Sequence, residues 1–146
     1  MAVSKSPKKK LFTVGQANAT LPLVRRIVRD ITELAQELRA RQDSLARLRQ
    51  SKGQVVDKAH AEEIQHVVQS YEQEQLRLAE YLKELQKLGV ELKDFFLGLV
   101  DFPCQMDNRL VYLCWRLGEP EVTFWHEIDA GYAGRQKLGE DSALLT

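Results

Sequence analysis

Two long stretches of helical periodicity, separated by a very short break, constrain this chain more than any other feature. From Leu21 to about Gln50 the apolar positions recur in steps of three and four among charged residues, which is typical of an amphipathic helix. From about Val55 to Leu88 apolar residues recur every seven positions, as in a coiled coil. Each helix would be about 45 Å long at 1.5 Å per residue. The short break at Gly53 therefore predicts an antiparallel helical hairpin, and the heptad positions of its second helix are Ile64, Tyr71, Leu78 and Leu85.

Helix-end signals flank this hairpin. Thr13 and Gln16 have capping-box spacing, in which each side chain bonds to the other residue's backbone N–H. Pro22 suits the first turn of a helix, so we predict a short helix from Thr13, an elbow at "NATLP" and a second, much longer helix from near Leu21. Gly89 is expected to end the last helix as a left-handed cap.

The apolar stripe of the hairpin is wider than a strict two-helix seam requires. With the turn near residue 53, Leu38 should lie beside Val68 and Val24 beside Leu82. Such a hairpin would leave apolar flanks exposed, and a four-helix arrangement of two chains would cover them. We therefore expect a homodimer, with a monomer as the alternative.

After Gly89 the pattern changes to short runs rich in aromatic and β-branched residues. The runs "GLVDFP", "RLVYLCWRL" and "EVTFWHEI" are separated by the turn compositions "PCQMDN" and "GEPE". They predict a three-stranded antiparallel β meander, with an extended "VELKDF" before it left open. A four-residue loop at 118–121 would set Leu113 opposite His126 and Val111 opposite Ile128, with His126 on an almost wholly apolar face. The fold class is therefore α+β, mostly α.

Composition and charge bound the remaining possibilities. The 146 residues, 44% of them hydrophobic, suit one domain with a modest core. Four of the first ten residues are Lys, although Lys plus Arg equals Asp plus Glu at 21 each. The body is thus mildly acidic, and neither nucleic acid nor a membrane is an expected partner. We expect a cytoplasmic chain with free thiols at Cys104 and Cys114.

The predicted segments are a disordered basic tail (1–10) and a single domain (11–146) made of hairpin (11–88), meander (89–138) and loose C-terminus (139–146).

Both ends of the chain resemble a known family. "FTVGQANATLPLVRRI" near the start, with "GVELKDFFLGLVDFP" and "VYLCWRLGEPEVTFWHEIDAGYAGRQ" near the end, resemble a bacterial and archaeal family filed as a domain of unknown function, number 2203. The resemblance covers essentially residues 11–138. The resemblance implies long helices with a small terminal module. The family is uncharacterised, so the resemblance supplies no activity or catalytic residues to assign to this chain.

The stretch "WHEIDAGYAGR" carries the main chemical hypothesis, which is a divalent metal site. Its candidate ligands are His126, Glu127 and Asp129, with Asp101 or Cys114 as a further donor, because imidazole and carboxylates suit zinc, manganese or iron. Strand alternation argues against this set, since adjacent residues point to opposite faces. The alternative is a buried, hydrogen-bonded histidine with carboxylates at the rim. No cofactor is predicted, and a divalent metal stays open.

A binding role for the meander is the favoured hypothesis. Aromatic faces and arginine forks suit a protein or a small anionic partner, whereas no set of catalytic residues is predicted. The alternative is internal, with Arg116 or Arg135 paired to Glu119, Glu127 or Asp129. The sequence thus predicts a non-enzymatic scaffold or interaction protein, with a metal-dependent enzyme as the alternative. The candidate binding residues are Tyr112, Arg116, Trp125, Glu127, Asp129, Tyr132 and Arg135.

Overall fold

Two helices followed by a five-stranded antiparallel sheet make up the fold of the described part of the chain. The computed structural model describes residues 10–50 and 58–139. The expected basic tail, the break at Gly53 and the loose C-terminus fall wholly or largely outside these ranges. No helix within them is long and apolar enough to cross a membrane.

Helix α1 spans Val14–Gln50 without interruption. Its capping box is confirmed, because the Thr13 N–H donates to Gln16 Oε1 and the Gln16 N–H donates to Thr13 Oγ1, each at 3.0 Å. The predicted elbow and separate second helix are wrong, since Pro22 lies inside α1. Proline costs a helix one backbone hydrogen bond. Here the buried stripe continues through the proline, from Ala17 and Leu21 to Val24, so core packing outweighs that cost.

Helix α2 spans Lys58–Lys87 and packs against α1. Gly89 caps it with φ 88°; its N–H donates to Gln86 O and the Val90 N–H donates to Leu85 O, which is the Schellman pattern. The predicted cap is therefore confirmed.

The predicted register of the two helices is wrong. Leu38 lines a groove together with Leu78 rather than lying beside Val68, and Arg41 is paired with Glu74. The helix seam alone permits several offsets. In the observed offset, Leu85 of α2 shares one core with α1 and the sheet.

The sheet has five strands in sequence order, not the three that were predicted. The two extra strands are at the edges: one lies in the "VELKDF" segment that was left open as extended, and the other has only two residues. The strand Leu99–Met106 runs through Pro103, and a two-residue turn follows it at Asp107 and Asn108, which have φ of 52° and 62°. The strands are β1 (Glu91–Asp94), β2 (Leu99–Met106), β3 (Arg109–Arg116), β4 (Phe124–Glu127) and β5 (Gln136–Lys137).

The pairing of β3 with β4 differs from the predicted register by one residue. His126 lies opposite Tyr112, and Leu113 lies opposite Trp125. The connection is seven residues (117–123) rather than four, because α1 holds it. Asn18 Oδ1 accepts from the Val122 N–H, and Arg25 donates to Pro120 O. A slip of one residue exchanges the two faces of a strand, so His126 moves to the face that carries Cys114.

One face of the sheet packs on α1 and forms the hydrophobic core. From the sheet this core includes Val100, Phe102, Leu113 and Trp115, which contact the α1 stripe. Phe12 joins it with its ring edge-on to Phe102, and the Phe12 N–H donates to Pro103 O. The core therefore fixes the sheet against the first half of α1, and Asp101, Cys114 and His126 lie on the opposite face of the sheet.

Candidate functional site

Three potential metal ligands converge on the face of the sheet that points away from the helices. Asp101 on β2, Cys114 on β3 and His126 on β4 place one donor atom each within 4.8 Å of the others. Asp101 and Cys114 are cross-strand neighbours, and His126 is adjacent through the β3–β4 pairing. All three are buried, with exposed fractions of 2%, 0% and 3%. We call these residues the triad.

The hydrogen bonds of His126 define its proton arrangement. Its Nδ1 lies 2.7 Å from the backbone carbonyl oxygen of Glu127. A carbonyl only accepts, so Nδ1 carries a proton and donates it. Nε2 then faces both carboxylate oxygens of Asp101, each at 3.0 Å. The Asp101–His126 pair must therefore share a proton or another cation between Nε2 and the carboxylate.

Burial governs the electrostatics of the triad. Desolvation raises the pKa of Asp101 above its usual value, and the hydrogen bond and charge of His126 oppose that rise. Burial likewise raises the pKa of the Cys114 thiol to about 12, with the carboxylate of Asp101 adding to the effect. Since the thiolate is the nucleophilic form, Cys114 near neutral pH is a protonated thiol and a poor nucleophile.

Arg135 closes the edge of this face next to Cys114. Its Nη2 donates to Glu119 Oε1 at 2.7 Å and contacts the Cys114 carbonyl oxygen at 3.4 Å. Its guanidinium lies 4.0 Å from the centre of the Phe124 ring and 4.9 Å from that of Tyr132. Its Nε is buried, and no hydrogen-bond partner is found for it among the described atoms. Arg135 therefore holds the segment after β4 onto β3 and β4.

The sequence matches one family model over nearly all of its described length. The model of a family described as an uncharacterized conserved protein, DUF2203, matches residues 10–138. The chain belongs to this family. No curated protein and no solved structure matches it significantly. The match spans both helices and all five strands, so the whole described architecture of this DUF2203 member lies within the family's boundaries.

The candidate metal ligands taken from the sequence do not come together as proposed. His126 is in the triad, whereas Glu127 forms a bidentate ion pair with Arg109 at 3.1 and 2.6 Å. Asp129 is exposed beyond the end of β4. The two further donors considered, Asp101 and Cys114, are the ones that join His126. An isolated aspartate within the apolar run "GLVDFP" was the available signal for Asp101.

The candidate binding residues are also divided between the two faces of the sheet. Trp125 and Glu127 lie on the helix-facing side, where Trp125 packs against the core. Tyr112 is buried next to the triad, with its ring 5.6 Å from that of His126. Arg116 donates to the Tyr132 hydroxyl at 3.2 Å. Arg135 is paired with Glu119, as the internal alternative expects, whereas the guanidinium of Arg116 contacts a hydroxyl rather than a carboxylate.

A second region of interest is the distal half of the hairpin. From 39 to 84 the described residues include none that is buried, although α1 closer to the sheet contributes ten buried residues. Half-buried apolar side chains line this part. Close to it lies the exposed turn between β1 and β2, formed by Phe95, Phe96 and Leu97, which we call the Phe95–Leu97 tip. A groove of about 300 Å³ joins the two, lined by Ala35, Leu38, Leu78, Phe95 and Phe96 with Arg39 and Gln42.

Proposed function

We propose that this DUF2203 member is a non-enzymatic interaction protein that self-associates through its helical hairpin. The observation that carries the proposal is the row of half-buried apolar residues along the distal part of α2, which meets the exposed Phe95–Leu97 tip at the groove. Large contiguous apolar surfaces of this kind mark interaction sites in soluble proteins. A two-helix arm cannot cover both flanks of its own stripe, and a second arm laid against it would form a four-helix bundle.

The periodicity of α2 supports an interface that extends along the arm. Its heptad residues Ile64, Tyr71 and Leu78 are all half-buried, and only Leu85, at the base, is fully buried among its residues. Leu76 lies almost opposite this stripe at 3.6 residues per turn, and it is 70% exposed. The stripe is thus only partly buried within one chain, and a helix of a second chain packed against it would bury the rest.

The sheet contributes the second part of the proposal, which is a docking surface for a protein partner. Its exposed apolar rim is formed by Ile128 and Tyr132, which are 53% and 38% exposed. A small anion is a weaker candidate, because the guanidinium of Arg135 is already bonded to Glu119. The protonated state of the Cys114 thiol favours a binding role over nucleophilic catalysis.

Light scattering over a range of protein concentrations tests self-association. We expect a mass near twice the 16.8 kDa of one chain. Phe96→Ser and Ile64→Gln should each shift the mass towards that of one chain, because both place polar groups on the proposed surface.

Leu76→Gln is the matched control. It makes the same kind of apolar-to-polar change on the opposite side of α2, and it should leave the mass unaltered. A mass near 16.8 kDa at every concentration would refute self-association.

A further inference from the structure

The triad has a composition and placement that ordinary core packing does not require. We propose that Asp101, Cys114 and His126 bind a divalent transition-metal ion of the zinc class, with the carboxylate, Sγ and Nε2 as its three protein ligands. These are the only three His, Cys, Asp or Glu residues in the described ranges whose donor atoms converge in this way. Each comes from a different strand of a continuous sheet, so the backbone holds the donors in place.

The hydrogen bond at Nδ1 of His126 orients the ring for a metal. Histidine ligands of metal ions almost always donate their other ring N–H to a carboxylate, a backbone carbonyl or water, which fixes the tautomer and directs the free nitrogen. His126 Nδ1 donates to the Glu127 carbonyl at 2.7 Å, which leaves Nε2 facing Asp101. The two oxygens of Asp101 lie at equal distances of 3.0 Å from Nε2, so either oxygen can bind an ion that Nε2 also binds.

The spacing of the nitrogen and oxygen donors fits a small tetrahedral ion with little movement, and Cys114 Sγ lies within 4.8 Å of both. Nitrogen and oxygen ligands at their usual distances from zinc lie roughly 3.3 Å apart. The separation of Nε2 from the Asp101 oxygens is 3.0 Å, so the pair has to open by only a few tenths of an ångström. A thiolate among the donors favours zinc or cobalt over calcium and magnesium, which prefer oxygen ligands.

Charge balance in this buried site also fits a divalent ion. Without metal, the carboxyl–imidazole pair with one shared proton and the protonated thiol together carry no net charge. A divalent ion bound by a carboxylate, a thiolate and a neutral imidazole gives no net charge either, and two protons leave to solvent. Buried sites that stay neutral avoid the large cost of an isolated charge.

Two cations near the triad are already paired with other groups. Lys93 is bonded to Glu91 at 3.0 Å, and Arg135 is bonded to Glu119 at 2.7 Å. Their charges are thus largely compensated before a metal enters. Three protein ligands leave one tetrahedral position for water or another small ligand.

Metal titration of the tag-free full chain tests the proposal. After treatment with a chelator, the protein should bind one Zn²⁺ per chain. Co²⁺ should give visible absorption together with a near-ultraviolet band from sulfur-to-cobalt charge transfer. Absence of saturable Zn²⁺ binding by the folded chain, or of the sulfur band with Co²⁺, would overturn the proposal without any variant.

Two cysteine variants locate the site. Cys114→Ser should abolish the near-ultraviolet band and weaken Zn²⁺ binding by about tenfold or more. Cys104→Ser is the matched control, because Cys104 is also buried in the sheet but belongs to the helix-facing core, and it should keep both the band and the affinity. If Zn²⁺ binding and the band are the same in Cys114→Ser as in the wild type, the ion binds elsewhere and the triad is not its site.

Discussion

His126 and Asp101 form a buried pair across the outer face of the sheet, with Nε2 at 3.0 Å from each carboxylate oxygen. Between them lies Cys114, which is the cross-strand neighbour of Asp101. His126 thereby connects β4 to β2 across the intervening strand. This contact links the three central strands on the face that points away from the helices.

Replacement of His126 should strongly destabilise the metal-free protein. His126→Leu leaves the carboxyl group of Asp101 buried without its partner, and breaking a buried pair in this way costs about 3–5 kcal/mol. Urea unfolding in the presence of a chelator measures the effect. The double variant His126→Leu, Asp101→Leu should recover much of the loss, since an apolar pair needs no partner charge. If the loss of unfolding free energy in the double variant equals the sum of the losses in the two single variants, the residues do not act as a pair.

Both cysteines should resist alkylation while the protein is folded. Burial raises the pKa of Cys114 to about 12 and raises that of Cys104 as well, so the thiolate fraction at pH 8 is very small. Iodoacetamide followed by intact-mass measurement should find slow modification of the native chain. In urea the same reagent should modify two thiols per chain rapidly. Fast labelling of native Cys114 would contradict the protonated state assigned to it.

Alanine substitutions at two glycines with positive φ allow the cost of an unfavourable φ to be measured apart from the cost of overpacking. A Cβ at Gly98 (φ 69°) would lie 2.8 Å from Leu117 Cβ and 2.9 Å from Val28 Cγ1, whereas at Gly118 (φ 106°) it would meet nothing within 4 Å. Gly118→Ala should cost about 1 kcal/mol for the unfavourable φ. Gly98→Ala should cost a further 1–3 kcal/mol, roughly, for overpacking between α1 and the β3–β4 connection. Equal losses of unfolding free energy would show that the contacts at Gly98 relax freely.

The ion pair of Arg41 with Glu74 gives the hairpin a small dependence on pH. The hydrogen bond from Arg41 lowers the pKa of Glu74 below 4.5, so the pair stabilises the fold above that pH and stops doing so as the pH falls through the lowered pKa. Glu74→Gln should therefore reduce the free energy of unfolding near pH 7 by less than about 1 kcal/mol. The difference from the wild type should vanish in acid. Glu72→Gln, an exposed change of the same charge, is the control.

Local sequence signals correctly predicted the features that depend on neighbouring residues. Capping by Thr13 and Gln16, the left-handed cap at Gly89, the two long helices and the strands rich in aromatic and β-branched residues all follow from contacts within a few positions of the chain. Pro22 is the exception. Its local preference for a helix start is overridden by a buried stripe that continues on both sides of it.

What the sequence by itself determined is thus the order and type of the main elements, because capping, periodicity and turn chemistry act over short distances. Only the tertiary structure decided which residues meet. The side chain of Asn18, 104 positions from Val122, helps to hold the β3–β4 connection. The observed pairing of β3 with β4 is shifted by one residue from the pairing that a four-residue loop at 118–121 would give. Because successive side chains of a strand alternate between faces, this single step takes His126 out of the apolar layer and places it against Asp101 and Cys114.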